Sequence, residues 1–153
     1  MKPALYIDSP ATLEETLHQL IPLSREMGVQ VLDYDGKRLS LTAPLAPNIN
    51  HQQSAFGGSL YAVAALAGWG LMQLKLTELK LDCNTVIADA AVSYLKPVLD
   101  DIVCCVSLPP DADAFFAELA ARGQASTKVR AAIGTEDDPA MTLTGTYHLR
   151  QNK

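Results

Sequence analysis

The sequence predicts an α+β domain in which one long antiparallel sheet wraps a central apolar helix. Two observations carry this. The run from Leu60 to Met72 is apolar on nearly every side, which requires burial all round rather than along one stripe. The segments flanking it alternate apolar and polar residues, the pattern of strands with one buried face. The order is helix, hairpin, buried helix, then four strands with one helical insertion, and no period repeats along the chain.

The elements follow one by one. Ser9-Pro10 opens a first helix whose Leu13, Leu17 and Leu20 share a face, Pro22 breaks or redirects it, and Gly28 closes it. In "VQVLDYDGKRLSLTAPL" the alternating Val29, Val31 and Leu39, Leu41 flank Asp35-Gly36, the tight-turn signal of a hairpin. The loop-and-helix stretch "NINHQQSAFGGSLYAVAALAGWG" follows, its helix reaching about Leu79, with Lys75, Glu78 and Lys80 at its wet end. "NTVIADAAVSYLKPV" and "DDIVCCVSLP" read as strands. "DADAFFAELAARG" reads as a short helix capped by an Asp and closed by Gly123. "ASTKVRAAIGT" and "AMTLTGTYHLR" are strands joined by the "EDDP" turn.

With 153 residues, 48% of them hydrophobic and 19% charged, the chain has material for one core and reads as a single domain over 1–153, the helical stretch 11–27 being an addition. A net charge of −5 argues against general nucleic-acid binding, which needs a basic face. The N-terminal stretch carries no long apolar run of the secretory kind. The apolar run 60–72 is shorter than the about 20 residues a bilayer needs, so no membrane partner is expected. Cys83, Cys104 and Cys105 show neither CxxC nor His spacing, so no metal is expected and reduced thiols in the cytoplasm are the natural reading.

The chemistry-bearing candidates cluster at the entrance to the buried helix. The first N–H groups of a helix lack internal partners, and its dipole adds partial positive charge there. Gly57 and Gly58 let a ligand approach that backbone closely, so their N–H groups, Gly58 first, suit a developing oxyanion or enolate. The alternative is a turn in which Ser59 caps the helix. Asn50 and Asn48 are neutral donors suited to an apolar pocket, or else loop-building residues that bond their own backbone. Phe56, Ser59 and Ser54 would shape the pocket. Ser54 and Ser59 lie in no GxSxG elbow. His51 is more simply a solvated loop residue, and His18 and His148 receive no role. The two adjacent cysteines point to opposite strand faces and suit core packing. Lys128 and Arg130 share one face of a strand and, with Lys96 and Arg122, could supply a local basic patch for phosphate.

The string "NxNxxxSAFGGSLYAxAxLAGWG", the "YLKP" strand end and the closing "GTYHLR" strand resemble the hot-dog fold of acyl-thioester enzymes over about residues 28–150. More closely they are similar to a thioesterase family whose domain also occurs fused behind an acetyltransferase domain, with some members described as malonyl-acyl-carrier-protein decarboxylases. The resemblance implies a homodimer, with a tetramer as a further option, in which two sheets join edge to edge and each site faces strands of the partner. It places Asn50 where thioesterases of the phenylacetate type carry a loop Asn, and Gly57-Gly58 on their Gly-Gly. It implies acyl-CoA or acyl carrier protein as the partner substrate, with CoA or phosphopantetheine as part of that substrate and no separate cofactor.

Two departures shift the expected chemistry. That subgroup has His before Gly-Gly and an Asp two turns into the helix, where this chain has Phe56 and Ala65. Hydrolysis needs a group that activates water. Decarboxylation of a malonyl thioester needs only a held carbonyl, to which one oxyanion donor contributes roughly 3–4 kcal/mol. The leading expectation is therefore decarboxylation of malonyl-acyl-carrier protein or malonyl-CoA to the acetyl thioester, in support of fatty-acid synthesis initiation. A thioesterase with an unlocated base comes second, and a non-catalytic acyl-thioester binder third.

Overall fold

A computed structural model of the chain describes residues 4–153. Its six strands are β1 Gln30–Tyr34, β2 Arg38–Ala43, β3 Cys83–Tyr94, β4 Ile102–Ser107, β5 Gln124–Gly134 and β6 Pro139–Gln151. They form one antiparallel sheet in the order β1-β2-β4-β5-β6-β3. The central helix α3, Gly57–Glu78, packs against five of the six strands. Leu60, Val63, Ala64, Ala67, Leu71 and Leu74 are buried along its length. That accounts for the absence of a polar stripe.

The N-terminal stretch forms two helices, α1 Pro10–Leu20 and α2 Pro22–Glu26, rather than one from 11 to 27. Ser9 caps α1 by accepting the Thr12 N–H at 3.2 Å, and Pro22 restarts the helix in a new direction. Gly28 then turns the chain into the sheet at φ +73°, and a Cβ there would lie 2.8 Å from Pro44 Cδ. Only glycine meets both demands. Residues 1–3 of the N-terminal stretch lie outside the described residues.

The predicted hairpin is β1–β2. Asp35 Oδ1 accepts N–H groups of Lys37 at 2.9 Å and Arg38 at 2.8 Å, and these bonds hold its carboxyl below the usual carboxylate range. Helix α4, Ala112–Arg122, ends at Gly123 with φ +77° as expected. Its start corrects the sequence reading: Asp111 occupies the cap position but its side chain makes no capping hydrogen bond.

The middle of α3 is built around one contact. The buried Tyr147 of β6 donates its hydroxyl to the Ala65 carbonyl at 2.9 Å. Gly68 makes room for it, since a Cβ there would lie 2.1 Å from that oxygen. Burial raises the Tyr147 hydroxyl well above the ordinary phenol range, so it stays a donor at all physiological pH.

Strand β3 pairs only with β6, so one of its edges is free in the chain. It bulges between Ile87 and Asp89 and exposes Val86, Ile87 and Tyr94. Cys104 is buried and Cys105 half-buried against Ser40 Oγ at 3.1 Å. Cys83 lies on β3, separated from β4 by the two strands β5 and β6, and burial pushes its thiol up to about 11. No helix among the described residues is long and apolar enough to cross a membrane.

Candidate active site at the entrance to the central helix

The approach to α3 is a closed loop. Asn48 ends a 3-10 turn, Ala46–Asn48, and its carbonyl accepts the Phe56 N–H at 2.7 Å. Ile49 bridges Ala55, and the Ala55 N–H donates to the Val98 carbonyl at 2.8 Å. These bonds set the angle at which α3 begins, and the cap position falls on Phe56, not Ser59. Phe56 makes no side-chain cap bond. The first bond within the helix runs from the Leu60 N–H to the Phe56 carbonyl at 3.1 Å. The N–H groups of Gly57, Gly58 and Ser59 therefore have no acceptor among the described residues. They are the positive end of a 22-residue helix.

Of the three, Gly58 and Ser59 open onto a cleft of about 320 Å³ that Leu23, Glu26, Met27, Pro47, Asn48, Phe56 and Ala62 complete. Gly57 sits to one side, where its carbonyl accepts the Tyr94 hydroxyl at 2.9 Å. The Phe56 ring is 57% exposed and leans over Gly58, so that a Cβ at Gly58 would meet it at 2.4 Å.

The two asparagines have different surroundings. Asn48 is only 2% exposed, and its Nδ2 donates to the Met27 and Pro44 carbonyls, each at 2.8 Å. Two carbonyl acceptors fix which end of the amide is nitrogen. Its Oδ1 is left buried with no donor among the described residues, a cost of about 1–3 kcal/mol unless something supplies one. Asn48 thus spends its donor on the Met27 and Pro44 carbonyls, and its Oδ1 is closed off from the cleft in this structure. Asn50 is turned into its own loop. Its Oδ1 accepts the N–H groups of Gln52 at 2.9 Å and Ser54 at 3.1 Å, and its Nδ2 reaches Ser54 Oγ at 3.1 Å. This is an Asx turn built by the side chain. Ser54 is buried as the partner in that turn.

A second, larger space adjoins the cleft. A groove of about 450 Å³ is lined by Ile21, Leu23, Ser24 and Met27, by Ala62, Ala65, Leu66 and Trp69 of α3, and by Thr85, Val86 and Ile87 of β3. Leu23, Met27 and Ala62 line both spaces. Gly58, Ser59, Ala62, Ala65, Leu66 and Trp69 recur every three or four residues, so they form one face of α3. One helical face thus carries unpartnered N–H groups at its head and an almost wholly apolar trough behind them.

The chain matches the model of the family described as "Putative thioesterase (yiiD_Cterm)" over residues 10–151. It belongs to that family. Among solved structures, a protein of unknown function from Chlorobaculum tepidum TLS shares 34% identity and a TM-score of 0.88, covering 95% of this chain and 99% of that one. A "putative thioesterase" from Shewanella oneidensis shares 31% identity and a TM-score of 0.84, covering 94% and 97%. A thioesterase from Haemophilus influenzae shares 15% identity, covers 94% and 91%, and supports the fold alone with a TM-score of 0.71. The fold of this family member is accordingly the hot-dog fold.

The structure sorts the other candidates. Gly58, Ser59, Phe56 and Asn48 meet in the cleft; Asn50, Ser54 and Gly57 stand beside or behind it. Lys128 and Arg130 share an exposed face of β5, as their spacing requires, but it is the face turned away from α3. Lys96 follows the end of β3 that lies level with the last residues of β5, whereas Arg122 directly precedes the first, so the two stand at opposite ends of that strand and the four cations do not form one patch within the chain. Two lining features escaped the sequence reading. Glu26, an exposed residue, is among those lining the cleft, and Trp69 among those lining the trough. Helical spacing from Gly58 could have found Trp69; nothing local could have found Glu26.

Proposed function

We infer that this protein hydrolyses acyl thioesters with an extended apolar acyl chain. The observation that carries the reading is the apolar trough adjoining the helix entrance, the two sharing Leu23, Met27 and Ala62 as walls. A thioester carbonyl oxygen placed on the Gly58 and Ser59 N–H groups would gain the positive end of α3 as negative charge develops on it. The acyl chain would then run along Ala62, Ala65 and Leu66 toward Trp69. Ser59 to Trp69 spans about 15 Å of helix at 1.5 Å per residue. An extended chain advances about 3.3–3.6 Å for every three bonds, so the trough accommodates about a dozen carbons. The thiol carrier, CoA or the phosphopantetheine of a carrier protein, would leave through the mouth beside Phe56. Pairing of the free β3 edge with a second copy would complete the trough wall and cover Val86 and Ile87, giving the homodimer. The cytoplasm, where CoA and carrier-protein thioesters are made, is the compartment this substrate implies.

A second reading, decarboxylation of a malonyl thioester, keeps one observation in its favour. From Gly57 to Gln73 the only ionisable side chain on α3 is Tyr61, so the helix itself offers no base, and this reaction needs none to begin. One experiment separates the readings. The protein is incubated with a series of acyl-CoA thioesters and with malonyl thioesters of CoA and carrier protein, and products are resolved by mass spectrometry. Free thiol and a fatty acid support hydrolysis. Acetyl thioester from the malonyl substrate overturns it for decarboxylation, and saturable binding with unchanged substrate overturns both for a binding protein.

A further inference from the structure

Hydrolysis requires a group that takes a proton from water, and α3 does not provide one. The cleft does. Glu26, the last residue of α2, lines it together with Gly58, Ser59 and Asn48, and it holds no ion pair among the described residues. Its position is not explained by helix stability, because a carboxylate at the C-terminal end of a helix opposes the dipole of that helix. Beside the N-terminus of α3 the same charge is favourable.

We propose that Glu26 is the general base of this cleft, activating a water that attacks the thioester carbonyl held by the Gly58 and Ser59 N–H groups. The proposal rests on the hydrolase reading above. The Glu26 carboxylate takes one proton from water as the oxygen bonds to the carbonyl carbon. The tetrahedral intermediate carries its negative charge on the oxygen facing the helix end. Its collapse breaks the C–S bond, and the proton on Glu26 passes to the departing thiolate. Acyl thioester and water thus give carboxylic acid and thiol, with Glu26 regenerated. In this arrangement the N-terminal helical addition completes the site, supplying the carboxylate that α3 lacks.

The test uses the full chain and the acyl-CoA it cleaves fastest, with thiol release followed by a thiol-reactive dye. Glu26→Gln keeps shape and hydrogen bonding but cannot accept the proton. Its expected effect is a loss of about 10²–10⁴-fold in kcat, the usual worth of a general base, with KM and thermal midpoint unchanged. Glu26→Asp should recover part of the rate. Neutral hydroxylamine, a nucleophile that needs no base, should restore thioester cleavage by Glu26→Gln and yield the hydroxamate. A Glu26→Gln protein with the parental kcat overturns the base assignment while leaving the hydrolase reading intact. So does a slow variant that hydroxylamine fails to rescue. A wild-type protein that releases no thiol from any acyl thioester overturns both.

Discussion

Helix α3 carries two pairs of glycines, and they do opposite things. Gly68 and Gly70 lie in its middle, where the protein itself fills the space they leave. A Cβ at Gly68 would lie 2.1 Å from the Tyr147 hydroxyl, and one at Gly70 would lie 3.0 Å from Leu13. Gly57 and Gly58 lie at its entrance, where the N–H groups have no acceptor and the nearest crowding group at Gly58 is an exposed ring. The middle is packed and hydrogen-bonded; the entrance is left unsatisfied. The first N–H groups of any helix lack internal partners, and here Gly58 is exposed and Gly57 and Ser59 half-buried, so the entrance stays open to water or a ligand. A glycine inside a core therefore reports packing, whereas a glycine at an open helix end reports approach.

Substitution should separate the two regions. Gly68→Ala drives a methyl into the Tyr147 hydroxyl, which is buried and cannot swing away. Overpacking of about 1–3 kcal/mol and the lost hydrogen bond of about 1 kcal/mol predict a destabilisation of about 2–4 kcal/mol in urea unfolding. A neutral Gly68→Ala would show that the middle of α3 is as yielding as its entrance. Gly58→Ala should leave the folded state within about 1 kcal/mol, because alanine favours the helix and the exposed Phe56 ring can move. Its methyl, however, stands over the N–H groups, and thioester turnover should fall about 10²–10³-fold, the worth of an oxyanion donor. Equal losses of stability and activity would erase the distinction.

The same contrast explains what could be read from the sequence. The buried helix, the Asp35-Gly36 hairpin and the glycine-rich entrance are local signals: hydrophobicity on all faces, a two-residue turn, consecutive small residues. Each is dictated by residues within a few positions, and each stands in the structure. What could not be read is contact across the fold. Glu26 and Gly58, 32 positions apart in sequence, line one cleft only because the fold brings the end of α2 beside the start of α3. The alternation of β5 showed that Lys128 and Arg130 share a face, but not that α3 packs on the other one. Whether α3 starts at Gly57 or is capped by Ser59 could not be decided from sequence, because Phe56 takes the cap position through its backbone alone, and backbone bonding to Asn48 leaves no mark in side-chain chemistry.

The trough offers a smaller effect in the same frame. Ala65 faces it midway between Ser59 and Trp69, so Ala65→Leu should block the far half without touching the N–H groups. Each methylene that loses its pocket is worth about 1–3 kcal/mol in discrimination. Kcat/KM for chains of about a dozen carbons should fall at least about tenfold relative to short-chain thioesters, with short-chain rates preserved. A uniform loss over all chain lengths would place the acyl group elsewhere.

Asn50 gives the smallest and most discriminating measurement. From sequence it was the first candidate to orient the substrate; in the structure its side chain closes the loop that delivers Phe56 to the start of α3. The two roles predict different losses. A substrate-orienting amide that acts in the transition state would cost about 10²-fold or more in kcat when removed, with stability hardly changed. A loop-building amide contributes through half-exposed hydrogen bonds to Gln52 and Ser54, and its loss should destabilise the fold by about 1 kcal/mol. Activity would then follow only the small displacement of Phe56. For Asn50→Ala the expected outcome is a stability loss of about 1 kcal/mol with turnover within about threefold of the parent, a change below about 0.7 kcal/mol in the barrier. A stable variant with abolished turnover would return Asn50 to the chemistry and require its loop to open when substrate binds.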